Sequence, residues 1–151
     1  MSKTVVVEHR FSAPVEVVWE RVSDHRGMRR WLVPGMNVRL QREGEPAPNG
    51  KGAVRVIEGA GVRAVEEIVE FEAPHRMVYE VLSGFPIKDH RGEITLEPED
   101  GTTLLVWAVR FKPRYPGTGG VLRWIVRRVF RRGLRRLEDL IAAEDVPSGV
   151  K

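Results

Sequence analysis

From Thr4 to Phe11 the chain alternates, with Val5, Val7, His9 and Phe11 on one face and Val6, Glu8 and Arg10 on the other. That period of two predicts a first strand. Ser12-Ala13-Pro14 follows as a helix start signal, with proline in the first turn and Ser12 near enough to cap. Val15, Val18, Trp19 and Val22 then recur at helical spacing. Gly27 interrupts this pattern, and Met28, Trp31 and Leu32 predict a second short helix that stops before Pro34-Gly35.

From Met36 onward the punctuation is that of hairpins: Gly44 to Gly50, Gly59-Ala60-Gly61, Ala73-Pro74, Ser83-Gly84-Phe85-Pro86 and Pro98-Glu99-Asp100-Gly101. The six runs between these breaks are rich in Val, Ile, Tyr, Trp and Phe and of strand length, which predicts an antiparallel meander. After Pro113-Arg114-Tyr115-Pro116-Gly117 one helix is predicted from about Gly119 to Glu144, roughly 36 Å long at 1.5 Å per residue. Leu122, Ile125, Val126, Val129, Phe130, Leu134, Leu137, Leu140 and Ile141 form its apolar side; Arg127, Arg128, Arg131, Arg132 and Arg135 form the other. An antiparallel sheet with one apolar face needs a cover, and only this helix is long enough to supply it. The fold class is therefore α+β, and residues 1–151 are read as one domain.

Composition changes the picture in two places. There is no cysteine, which removes disulfides, thiolate nucleophiles and zinc ribbons. Seven of the 25 Lys and Arg lie between Arg123 and Arg136 with no acidic residue among them, so the other 18 are outnumbered by 21 Asp and Glu. Arginines along the outer side of an amphipathic helix read first as a solvated face. Peripheral contact with an anionic membrane through Arg127, Arg128, Arg131 and Arg135 is the functional alternative, and nucleic acid ranks behind it because the sheet offers no matching basic stripe. No apolar run reaches the ~20 residues that span a bilayer, and no signal-peptide pattern opens the chain, so the expected location is cytoplasmic.

Several weak motifs in the right order resemble a known family. Phe11-Ser-Ala-Pro-Val-Glu-Val-Val-Trp19, then Ser23-Asp24 and Trp31-Leu32, resemble the opening of the START-like (SRPBCC) superfamily, in particular its polyketide cyclase/dehydrase and lipid-transport branch. Glu67-Ile-Val-Glu-Phe-Glu-Ala-Pro74, Met77-Val-Tyr79, Gly101-Thr-Thr-Leu-Leu-Val-Trp107 and Gly133-Leu134 with Leu137 continue the resemblance to about Glu144. It implies the helix-grip fold, a seven-stranded curved antiparallel sheet wrapped around a long C-terminal helix, with two short helices after the first strand. It also implies a deep cavity, which relatives use for lipids, sterols, quinones, hormones and aromatic polyketides. A complete catalytic set of the aromatase type does not map onto this chain.

Candidate site residues follow from the predicted faces. If Phe11 points inward, His9 does too, as a ligand contact, an acid or base, or a satisfied core histidine. On the fourth strand Arg63, Val65, Glu67, Val69 and Phe71 share a face. Either Glu67 and Arg63 then form an inward polar cluster, or a one-residue shift in the pleat puts Ile68 inside and Glu67 in solvent. Tyr79 and Val81 on the next strand, Trp107 and Val109 on the last, and Val129 and Phe130 on the helix are candidates to line a pocket or simply to pack. Gly133, at the centre of the helix's apolar face, marks close packing or room for a ligand. Trp124 is a lid, partner or membrane contact, or packs on the Arg114-Tyr115-Pro116 turn.

His25, His75 and His90 fall in loop-like or strand-end positions with no metal-ligand spacing, so neither a metal nor a cofactor is expected. There is no Gly-x-Ser-x-Gly elbow and no phosphate loop. The leading expectation is binding of a hydrophobic small molecule. A polyketide cyclase/aromatase-like enzyme using Glu67 or His9 as base and Tyr79 as donor stands second, and an anionic-surface module third.

Overall fold

The structure, a computed structural model, describes residues 1–144. Strand β1 (Lys3–Phe11) leads into helices α1 (Val15–Val22) and α2 (Met28–Trp31). Strands β2 (Asn37–Arg42), β3 (Val54–Gly59), β4 (Val62–Glu72), β5 (Arg76–Ser83), β6 (Ile87–Glu99) and β7 (Thr102–Pro113) follow, and α3 (Gly119–Glu144) closes the described chain. The strands form one seven-stranded sheet in the order β1-β7-β6-β5-β4-β3-β2, every neighbouring pair antiparallel. This is the helix-grip fold.

Local chemistry sets the boundaries. Pro14 takes the N-cap of α1 and its carbonyl accepts from the amides of Val17 and Val18, while Ser12 makes no cap hydrogen bond. The proline thus sits one position earlier than the sequence suggested, where its missing N–H is harmless. The β6–β7 hairpin turns through Asp100 and Gly101 at φ of 50° and 82°, the paired left-handed backbone that an Asp-Gly turn supplies.

Strands β1 and β7 pair in register from Lys3↔Phe111 to Phe11↔Thr103, putting Val5, Val7, Phe11, Leu105, Trp107, Val109 and Phe111 on the concave side. The C-terminal half of α3 is seated there through buried Leu134, Leu137 and Ile141. Polar contacts fix that half in place: His9 with Glu138 at 2.7 Å, Arg21 with Glu144, and Arg136 Nη1 donating to the Trp31 carbonyl at 3.2 Å.

The N-terminal half of α3 behaves differently. Val121, Trp124, Ile125 and Val129 are exposed by 61%, 62%, 42% and 37%. Ile125 and Val129, assigned above to the apolar side, therefore overhang the sheet instead of burying against it.

Candidate functional site

The overhang leaves a cavity of about 450 Å³ between sheet and helix. Its floor is Ile57, Tyr79, Trp107, Val109 and Phe111, and its roof is Leu122, Ile125, Val126, Val129 and Phe130 of α3. Met28, Leu32, Val33 and Met36 close one flank; Val62 and Ile87 at the starts of β4 and β6, with Phe85 and Pro86 of the β5–β6 turn, contribute further wall. Trp107 and Phe130 meet across the middle, stacked with ring centroids 3.7 Å apart and planes 12° from parallel. A volume of this size and lining suits a small, mostly apolar molecule.

One end of the cavity is polar. Arg55 and Glu66 are paired residues of β3 and β4, both buried, with Arg55 Nε and Nη2 on Glu66 Oε1 at 2.7 and 2.6 Å. Arg55 Nη1 also donates to His25 Nδ1 at 3.1 Å, and His25 Nε2 donates to the Asn49 carbonyl at 2.8 Å. Burial, helped by the Arg55 charge, holds the His25 pKa down to about 3, so the imidazole is a neutral acceptor for the guanidinium.

Above this pair the Tyr79 ring lies 4.8 Å from the Arg55 guanidinium carbon. Trp107 Nε1 donates to the Tyr79 hydroxyl at 2.9 Å, and burial together with the Glu66 charge pushes the phenol pKa up. Tyr79 reaches Trp107 by lying across Gly92, where a Cβ would fall on the ring. His90 sits beside Tyr79, centroids 5.2 Å apart, its Nδ1 accepting from the Val81 amide at 3.0 Å. Burial lowers its pKa to about 4.

A family model described as polyketide cyclase / dehydrase and lipid transport matches residues 2–142. The chain belongs to that family. No functionally curated protein matches it by sequence. Among solved structures it is similar to a protein from Thermobifida fusca, 28% identical with a TM-score of 0.78, over 94% of this chain and 95% of that one. It is also similar to the Zhui aromatase/cyclase from Streptomyces sp. R1128, at 19% identity and TM-score 0.79 over 99% of both chains. A START superfamily protein from Mycobacterium smegmatis aligns at 12% identity and TM-score 0.79, over 93% of this chain and 97% of that one.

Within this member of the polyketide cyclase/dehydrase and lipid-transport family, six of the sequence candidates meet at the cavity: Tyr79, Val81, Trp107, Val109, Val129 and Phe130. Four lie elsewhere. His9 is turned to α3, its ring 4.6 Å from Phe11 and its Nε2 on Glu138. Glu67 pairs with Arg42 at 3.1 Å on the outer side, and exposed Arg63 faces Glu58 at 3.6 Å. The second reading of β4 therefore holds, with Ile68 buried. Phe71 still reaches the core, against Trp19 at 5.2 Å, because the β4–β5 ladder shifts register between Ile68 and Glu70.

Gly133 is a packing glycine: a Cβ there would lie 2.8 Å from Leu32 Cδ1 and 3.3 Å from Leu32 Cα. Its missing side chain lets α2 and α3 touch.

Sequence reasoning missed Arg55, Glu66, His25 and His90. Arg55 lies in a strand whose residues Val54 to Ile57 are all buried, so alternation carried no sign of which face was inward. His90 is buried by a register shift between Lys88 and Arg91, with Asp89 at φ of 51°. His25 is fully buried in the connection between two helices. Among the described residues there is no cluster suited to a metal ion, and no helix is long and apolar enough to cross a membrane.

Proposed function

We propose that this protein binds a small, largely apolar molecule of lipid, quinone or aromatic polyketide-like character in the cavity under α3. The observation that carries this reading is the cavity itself: about 450 Å³, walled by aliphatic and aromatic side chains, with its polar groups gathered at one end. A protein with no ligand to hold would gain by letting α3 settle on the sheet and bury Ile125 and Val129. The cyclase reading that uses Glu67 or His9 as base is left without its base, since neither side chain reaches the cavity.

The test is mass spectrometry of the gently purified protein before and after denaturation. A small molecule released in stoichiometric amount is expected. An empty protein that also fails to take up naphthalene-sized fluorophores would end the binding reading.

An anionic membrane is the partner surface that fits the roof of the cavity. Val121, Trp124 and Ile125 are exposed beside Arg123, Arg127, Arg128 and Arg131, with the Arg128 guanidinium 5.5 Å above the Trp124 ring. Apolar groups with arginines around them suit insertion at a headgroup boundary, each cation near an anionic surface adding about 1 kcal/mol. Sedimentation with phosphatidylcholine vesicles should be weak and become strong when phosphatidylserine is added. Equal binding to both would remove this partner.

A further inference from the structure

Two neutral side-chain hydrogen-bond donors at the polar end of the cavity have no protein acceptor among the described residues. The first is the Tyr79 hydroxyl. It accepts from Trp107 Nε1 at 2.9 Å, which occupies a lone pair and leaves its own proton undirected. The second is His90. Its Nδ1 accepts from the Val81 amide at 3.0 Å, and a ring nitrogen that accepts carries no proton, so the single proton of the neutral ring is on Nε2.

Both side chains stand in the cavity wall, on the neighbouring strands β5 and β6, at 3% and 9% exposure. The charges at this end are already matched. Glu66 Oε1 takes two contacts from Arg55, and His25 Nδ1 accepts a third while its Nε2–H donates to the Asn49 carbonyl. Beside the ion-paired Arg55 and Glu66, what the pocket offers a ligand at this end is therefore a pair of neutral N–H and O–H donors. A donor in the cavity wall with no protein acceptor becomes unfavourable once an occupant displaces water from it, so an occupant that supplies the acceptor is preferred.

Building on the cavity-binding reading, we propose that the ligand carries a neutral hydrogen-bond-accepting oxygen of ketone or quinone type, seated between Tyr79 Oη and His90 Nε2. Its apolar body then lies against the stacked Trp107 and Phe130. A carboxylate does not suit this seat, because Arg55, the cation that could neutralise it, is already paired with Glu66, and an added anion would be buried without a counter-charge.

The experiment uses the full chain and three molecules of similar shape: 2-acetylnaphthalene with a ¹³C-labelled carbonyl, 2-isopropylnaphthalene and 2-naphthoate. Infrared difference spectra report the carbonyl band of the bound ketone; fluorescence titration reports the three affinities. The band is expected well below its position in an alkane, and both His90→Phe and Tyr79→Phe should move it part of the way back. The preference for ketone over hydrocarbon should fall about fivefold in His90→Phe, the size of one net hydrogen bond. His90→Gln, which can accept from Val81 and still donate, should retain part of the preference.

A wild-type band at the alkane position, a band that neither variant moves, or naphthoate bound as tightly as the ketone would overturn the assignment while leaving cavity binding intact. Failure of all three molecules to bind would remove both. If a variant does not fold, the wild-type band and the naphthoate comparison still decide.

Discussion

Arg55 and Glu66 face each other across β3 and β4 with their side chains only 3% and 7% exposed, and the 2.6 Å contact between them is backed by a histidine that stays neutral. Desolvating two charges is costly, and the pair is sustained only while both members and their hydrogen bonds are present.

Removing one partner should therefore do more harm than removing both. Arg55→Met or Glu66→Leu alone is expected to lower unfolding free energy by about 3–5 kcal/mol, because each leaves a buried charge uncompensated. The double variant should recover most of that loss. Urea unfolding of the four proteins gives the cycle, and additive losses would mean that the two charges are not coupled.

The order of elements was legible in the sequence because β1, α1 and α3 each keep one period along their length. Val5, Val7 and Phe11 are buried where alternation puts them, as are Val15, Val18, Trp19 and Val22 where a helical period puts them. The polar end of the cavity was not legible, for a reason local to three strands. β4 and β6 each contain a register shift that swaps faces partway, and β3 buries Val54 and Val56 on one side and Arg55 and Ile57 on the other. A period-two argument that starts from Phe71 crosses the shift beyond Ile68 and arrives at Glu67 instead of Glu66. The carboxylate expected at the site was thus one residue away from the one that occupies it.

Acid should weaken the fold before carboxylates titrate. Burial holds His25 and His90 near 3 and 4 against an ordinary 6.5, so below that value the unfolded chain takes up protons that the folded chain refuses. Stability then falls with falling pH, by about 1.4 kcal/mol per pH unit for each histidine once well below 6.5. The urea midpoint should drop steadily from pH 7 to 5, and His90→Gln should roughly halve the slope. Below about 4.5 the carboxyl of Glu70, held near 2 by hydrogen bonds from Arg76 and Arg91, adds to the loss in the same direction. A midpoint independent of pH between 7 and 5 would show that neither histidine is kept neutral by the fold.

Gly92 is needed as an absence. It is paired with Tyr79 on one side and Val109 on the other, and its lack of a Cβ is what allows the phenol to lie across β6 toward Trp107. In Gly92→Ala the methyl group must displace the ring, at a cost of about 1–3 kcal/mol, and the Trp107 hydrogen bond goes with it. The near-ultraviolet circular dichroism of Trp107 should change more than in Tyr79→Phe, which keeps the ring in place and costs about 1–3 kcal/mol through the buried Trp107 Nε1 it leaves without an acceptor. Equal effects of the two substitutions would mean that the ring position does not depend on Gly92.

Phe130 offers the sharpest separation between a binding cavity and a loosely packed core. Its ring lies against Trp107 and is 9% exposed, so truncation to alanine should cost about 3 kcal/mol, the low end for a buried aromatic because the ring borders the cavity instead of being packed on all sides. If the cavity takes ligands, the room released lies directly over the indole face, where a larger aromatic can replace the lost stacking. Phe130→Ala should then bind pyrene more tightly relative to naphthalene than the wild type does, and bound pyrene should restore part of the lost stability through its preference for the folded state. If Phe130 serves only to fill a core, the same substitution will lower the urea midpoint and no aromatic of any size will raise it again.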